Sequence, residues 1–219
     1  MRFKDSTLVV SHANNSLGIL VSEIPISIDT RRAAVADAAL RAGADIVNDV
    51  SGGTFDPLML SVVAQHGVPF LMMHMRGTPQ TMTRHTKYES GVVEEVAANL
   101  MERSRTAAAA GIPRWLHILD PGIGFAKDHK GNLTLLKNFD MFRGLIENYP
   151  VLVGPSRKKF LGTITGENHP ADRDFATIAA CLACITPTSS QYGTILRVHN
   201  VKAVKQAAQV FDAIIQSDD

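Results

Sequence analysis

Apolar residues along this chain gather into six short runs rich in β-branched and aliphatic side chains. They are "EIPISIDT", "ADIVNDVSGG", "VPFLMMHMRGTP", "WLHILDPGIGF", "YPVLVGPSRKK" and "GTILRVHNV". Runs this short and this apolar predict strands buried on both faces, as in a parallel sheet covered by helices. Between them lie "TRRAAVADAALRAG", "DPLMLSVVAQHG" and "ESGVVEEVAANLMERSRTAAAAG", whose spacing or alanine content predicts helices closed by Gly43, Gly67 and Gly111. Thr30 and Asp56 are the predicted N-caps of the first two. Regular alternation of this kind argues for right-handed βαβ units and an α/β fold.

Every predicted strand ends on polar chemistry: Asp29; Asn48 with Asp49; His74 with Arg76; Asp120; Lys158; and Arg197 with His199. In α/β folds that edge is where sites are built, so six polar endings predict one site. Asp120 closes a run too apolar to leave a carboxylate without a partner, and Pro121-Gly122 then breaks the strand. Gly122 and Gly124 permit close backbone approach, and Phe125 offers a flat apolar surface. His117, three residues before Asp120, falls on the opposite strand face and is predicted to be a satisfied core histidine. In "SRKKF", directly off a strand at Gly154-Pro155, Lys158 is the lysine expected to face the site.

Composition narrows the ligand. With 22 basic and 21 acidic residues among 219, the chain has no global field to draw nucleic acid or a membrane surface, so an anion must be bound locally. Cys181 and Cys184, at helical spacing in "AACLACI", predict small buried helix residues on one face. The N-terminal "LVV" is interrupted at once by "SHANNS", so no signal-peptide core is expected, and no apolar run is long enough to span a bilayer.

Carboxylates at Asp29 and Asp120 match paired N–H donors, Asn48 offers a donor and an acceptor, and Lys158 donates to a carbonyl or ring nitrogen. The complement is a flat, amide-like heterocycle. Arg197 can stack on such a ring or grip an anion, and His199, expected on the same strand face, adds a second donor to that anion. Neither a G-x-x-x-x-G-K-[ST] loop nor a G-x-G-x-x-G fingerprint is present.

"PISIDTRRAAVADAALRAGADIVNDVSGG", "LMMHMRGTPQTM", "ILDPGIGFAK", "VGPSRKKFLG" and "RVHNV", in that order, resemble the dihydropteroate synthase family of folate biosynthesis, the sulfonamide target. The resemblance implies a (β/α)8 TIM-barrel fold. It also implies condensation of 6-hydroxymethyl-7,8-dihydropterin pyrophosphate with 4-aminobenzoate, giving 7,8-dihydropteroate and pyrophosphate with Mg2+ as cofactor. Carried onto matching positions, it makes Asp120, Asn48 and Lys158 the floor of a pterin pocket with Asp29 beside them. Met73 and Gly154 line the slot, while Arg197 packs over the pterin and holds the pyrophosphate with His199. Phe125 and the Arg157 to Lys159 region border the aminobenzoate. Lys158, Arg197, His199 and Asp29 are the implied catalytic set. A homodimer, to which the Ala-rich "FATIAACLACI" contributes, an intracellular location in cytoplasm or mitochondrion, and fusion to other folate-synthesis domains are further implications.

The chain departs from the family at its start, where members carry two further βα units with "N-V-T-P-D-S-F" and "E-S-T-R-P-G" loops. Residues 1–23 form an atypical segment too short for two such units, and residues 24–219 hold the pterin-binding domain, about six βα units of the barrel. Within that segment "STLVV" and "LGILVS" are candidate short strands that would require antiparallel pairing, exposed edges or a partner chain. The family's magnesium-side asparagine belongs to an absent loop, so no metal ligand is assigned. The stretch "CITPTSSQYGTILRVHNV" reads longer and more polar than a compact helix-to-strand turn. Two other readings remain: a non-catalytic pterin-binding or assembly module, and a methyltetrahydrofolate methyltransferase-like enzyme. "SRKKF" and "RVHNV" argue against the latter, since such an enzyme handles no pyrophosphate.

Overall fold

The computed structural model describes residues 9–11, 24–78, 80–147, 149–185, 193–215 and 217. They cluster into two compact units, the first within residues 1–75 and 99–120, the second within 76–98 and 121–219.

In the first unit the apolar runs become strands β1 (Val9–Ser11), β2 (Ile26–Asp29), β3 (Ile46–Asp49), β4 (Phe70–Met73) and β5 (His117–Asp120). All pair parallel in chain order. Strand β1 overlaps the predicted "STLVV" segment and pairs parallel with β2, Val9 opposite Ile26, so of the alternatives offered for it antiparallel pairing is not the one taken. A parallel edge strand continues the same slanted ladder. "LGILVS" lies outside the described residues.

Helices α1 (Ala33–Arg41) and α2 (Met59–His66) follow β2 and β3, and α3 (Val92–Ala109) precedes β5. Helix α2 stops where expected, since Gly67 adopts the left-handed conformation that only glycine enters without strain. The predicted caps are corrected. Arg32, not Thr30, occupies the N-cap of α1 and Leu58 that of α2. Thr30 Oγ1 instead accepts from Arg32 N, two residues on. Asp56 bridges both helix starts: Oδ2 accepts from Ala33 N at 2.8 Å and Oδ1 from Leu58 N at 3.0 Å. These backbone donors hold its carboxyl below the usual range. The cap of α1 thus comes from 23 residues away along the chain, which no local pattern encodes.

The second unit contains α4 (His129–Lys137), α5 (Phe139–Leu145), β6 (Val151–Val153), α6 (Lys159–Thr165), α7 (Asp174–Leu182), β7 (Thr194–Leu196) and α8 (Val201–Ile215). Strands β6 and β7 are parallel, Val151 opposite Thr194. Asp128 caps α4 by accepting from Gly131 N at 2.7 Å. Both cysteines are buried and free, but Cys184 lies just past the end of α7 in a turn closed by its N–H to the Cys181 carbonyl. Burial pushes the Cys181 thiol up to about 12. The polar stretch before β7 falls mostly at residues 186–192, outside the described residues.

Candidate active site

Strand register sorts the first unit's polar residues onto two faces. Paired residues in a parallel ladder point the same way, and neighbours along a strand alternate. Asp29 pairs with Asn48, Asn48 with Leu71 and Leu71 with Ile118, while Met73 pairs with Asp120. Leu71 to Met73 and Ile118 to Asp120 are steps of two. Asp29, Asn48, Met73 and Asp120 therefore share one face, at the carboxyl ends of four adjacent strands. Asn48, Met73 and Asp120 are buried at 5%, 3% and 7% exposure, and Asp29 is half-buried. Register alone thus brings together four of the residues that the resemblance assigns to a ring pocket; Lys158 and Gly154, the others of that set, belong to the second unit.

Asp49 and His117 lie on the other face. Asp49 therefore leaves the predicted site. Its Oδ1 accepts from Ser51 N at 2.7 Å and Ser51 Oγ at 2.6 Å, and its Oδ2 from Gly53 N at 2.9 Å, shaping the turn after β3. Burial nevertheless holds its carboxyl above the usual range, the three donors offsetting only part of the lost hydration. His117 is fully buried against α3, as expected of a core histidine. Its Nε2 faces the Ile112 carbonyl at 3.1 Å and so carries the proton, which leaves Nδ1 to accept from Ser104 Oγ at 2.9 Å. Burial holds this neutral ring below its ordinary pKa.

In the second unit the loop after Asp120 is built around two lysines. Lys127, buried, donates Nζ to the carbonyls of Gly122 and Phe125 at 3.0 and 2.9 Å, closing the loop on itself. Asn132 on α4 accepts from Gly124 N at 2.6 Å. Lys158, at the N-cap of α6, donates to the Ile123 carbonyl at 2.8 Å and lies 4.1 Å from the centroid of the Phe125 ring. The close approach expected at Gly124 is made by this side chain: a Cβ there would sit 2.8 Å from Lys158 Cδ.

Two further exits meet around His199. Arg197 N donates to the Val153 carbonyl at 2.9 Å, one step beyond β7, and the Arg197 side chain packs against Gly154, where an added Cβ would sit 3.7 Å from its Cβ. His199 is not on the strand face predicted for it, because β7 ends at Leu196. Ser156 positions it instead. Ser156 Oγ accepts from His199 N at 3.2 Å and lies 2.8 Å from Nδ1. Which of the two donates across that contact follows the imidazole tautomer: with the hydroxyl donating to Nδ1, the neutral ring carries its proton on Nε2. Partial burial, then the charges of Arg157 and Arg197, hold this imidazole below its ordinary pKa. Ser156 was not singled out by sequence; its place directly after a Gly-Pro strand exit was the available signal.

Two arginines are engaged elsewhere. Arg76, expected among the polar endings, stacks 4.0 Å from the Tyr88 ring centroid, donates to the Lys87 carbonyl and pairs with Glu95. Arg157, at a φ of 58°, forks its guanidinium onto Asp174 at 2.8 and 3.1 Å, while its N–H donates to Thr177 Oγ1. It anchors the loop between Ser156 and Lys158. Among the described residues no three His, Cys, Asp or Glu side chains cluster as a metal site.

Residues 9–199 match the family described as pterin binding enzyme. The chain is 45% identical over 192 residues to dihydropteroate synthase of Synechocystis, covering 88% of this chain and 64% of that protein. It is 43% identical over 194 residues to the folic acid synthesis protein fol1 of Pneumocystis carinii, covering 88% of this chain and 26% of that protein. It thus spans about two thirds of the one relative and a quarter of the other. Among solved structures, dihydropteroate synthase from Thermus thermophilus in complex with 4-aminobenzoate superposes with a TM-score of 0.79 at 40% identity, covering 88% of this chain and 75% of that one. The same enzyme has been solved with 6HMPPP. Parallel strands alternating with helices, the matched span and these identities agree: the chain belongs to the pterin-binding enzyme family.

Proposed function

We propose that the protein is a dihydropteroate synthase. In this reading the amino nitrogen of 4-aminobenzoate attacks the methylene of 6-hydroxymethyl-7,8-dihydropterin pyrophosphate. The C–N bond forms, the C–O bond breaks, the bonding pair leaves with pyrophosphate and the amine gives up a proton. Asn48, Asp120 and Asp29, on one face of the first unit, accept from and donate to the ring's amide edge, and Met73 lies against it. The carboxylates also favour positive charge developing on the pterin. In the second unit Lys158 donates to a ring acceptor, Arg197 stacks over Gly154, and His199 gives its Nε2–H to a pyrophosphate oxygen. Phe125 and the Arg157 to Lys159 region border the aminobenzoate.

The observation that carries this reading is the Ser156–His199 pair beside Arg197. An imidazole oriented by Ser156 next to a guanidinium suits a leaving polyanion, which a methyl-transferring pterin enzyme does not release. Magnesium belongs to the proposal as the ion that would offset charge on the leaving pyrophosphate. The described side chains do not fit a three-ligand protein site, so no step is routed through the ion. A homodimer and a place inside the cell, in cytoplasm or mitochondrion, complete the proposal; no helix among the described residues is long and apolar enough to cross a membrane.

The test is to supply both substrates with Mg2+ and follow pyrophosphate and dihydropteroate, alongside calorimetric titration of reduced pterin. Turnover abolished by Asp120→Ala together with pterin binding is the expected result. Pterin binding without turnover would favour the non-catalytic module, and equal binding by wild type and Asp120→Ala would overturn the site.

A further inference from the structure

The β3–β4 register ends at Asp49 opposite Met72, yet the residues the proposed function needs on these two strands sit at the very end of that ladder. Asn48 is one residue from the close of β3, and Met73 ends β4. Past this point something other than backbone pairing must keep the two exits in step. Arg103, reaching from α3, does so. Its Nη1 donates to the carbonyls of Ser51 at 2.9 Å and Met73 at 2.5 Å, and its Nη2 to that of Met75 at 3.1 Å. One planar fork thereby ties the turn after β3 to the segment after β4.

The loop is shaped around this group. Gly52 has a φ of 60°, and a Cβ built on it would lie 2.6 Å from Arg103 Nη1 and 2.9 Å from its Cδ. Any side chain at Gly52 would push the guanidinium off its carbonyls. Asp49 holds the same turn from the other side through Ser51 and Gly53. Burial holds this guanidinium below its usual pKa, the field of Asp49 offsetting only part of the lost hydration, while three carbonyls on two segments take its donors. A lysine could not reproduce it, because a single ammonium does not present donors in a fixed plane to acceptors on two segments.

We propose that Arg103 is a positioning residue for pterin recognition: it extends the β3–β4 tie past the last ladder rung and so holds Asn48 and Met73 at the spacing the ring requires. The proposal rests on the functional reading above. It touches neither substrate nor the groups assigned to pyrophosphate.

Wild type, Arg103→Lys, Arg103→Met and Gly52→Ala, each as the full chain, are titrated separately with a reduced pterin and with inorganic pyrophosphate. Amide hydrogen exchange is read at Gly52, Gly53, His74 and Met75. Small displacements of binding groups lose affinity steeply, so all three variants should bind pterin about tenfold or more weakly. Pyrophosphate affinity should stay within about twofold of wild type, and the four amides should exchange faster. Should Arg103→Met fail to fold, Arg103→Lys and Gly52→Ala carry the same comparison. Unchanged pterin affinity in a folded variant overturns the proposal, and so does an equal loss for both ligands, which would mean a general loosening. If wild type binds no pterin, the functional reading itself falls, and exchange at the four amides still decides whether the guanidinium holds the turn.

Discussion

Gly124→Ala is the substitution on which the described geometry of the DPGIGF loop can be judged. Gly124 has a φ of 81°, and the added Cβ would stand 2.8 Å from Lys158 Cδ, 3.3 Å from Nζ and 3.5 Å from Cε. Two separable penalties follow. A left-handed backbone conformation costs a residue with a Cβ about 1–2 kcal/mol. The second penalty is the displaced lysine, which loses its bond to the Ile123 carbonyl and its place over Phe125. A charged donor to a carbonyl contributes roughly 1.5–3 kcal/mol and an exposed cation–π contact about 0.5–1 kcal/mol. Lys158 is half-buried and recovers part of this by turning to water. The expected loss of stability is therefore about 2–4 kcal/mol. A double-mutant cycle with Lys158→Ala in urea unfolding separates the two penalties. With the lysine stem gone, Gly124→Ala should cost only the backbone share, leaving a coupling of about 1–2 kcal/mol. Additivity within about 0.5 kcal/mol would refute the claim that Lys158 is what Gly124 makes room for.

Two other outcomes follow from the histidines. His117 is neutral in the folded protein and held below its ordinary pKa by burial, whereas the unfolded chain takes up a proton near pH 6.5. Its contribution is thus complete above that value and is lost as pH falls towards the folded pKa, by about 1.4 kcal/mol per pH unit. Urea midpoints across this window should show His117→Asn with the shallower pH dependence, and equal slopes would contradict the neutral assignment. Ser156→Ala should release the ring of His199 from the orientation that the serine gives it. Its ring 15N resonances should shift towards a mixture of protonated nitrogens and pyrophosphate affinity should fall several-fold; unchanged resonances would remove the serine from its role.

How much of this was written in the sequence follows from which interactions are local. Strand and helix identity rest on apolar spacing and on glycines such as Gly67, all within a few residues, and the six strands and three helices read from pattern appear where expected. That Asp29, Asn48 and Asp120 end strands at one edge was legible for the same reason, because polar residues at the carboxyl ends of short apolar runs stand out; Met73 came only with the family resemblance, and the shared face only with the register. His117 could be set apart from Asp120 because side chains alternate along any strand. The resemblance of "DPGIGF", "SRK" and "RVH" to a known family added roles that spacing by itself did not carry.

Other features had no local signature. The cap of α1 comes from Asp56, beyond β3, and the orientation of His199 comes from a serine 43 residues earlier in the chain. Arg76 and Arg157 look like ligand-binding cations in sequence, yet Glu95 with Tyr88 and Asp174 claim them. Asp49 read as part of a polar pair with Asn48 until register put it on the helix side, beside Arg103. A residue's type states which bonds it can make. Which of them it does make depends on the donors and acceptors that the folded chain brings within about 3 Å, and only the tertiary structure decides that.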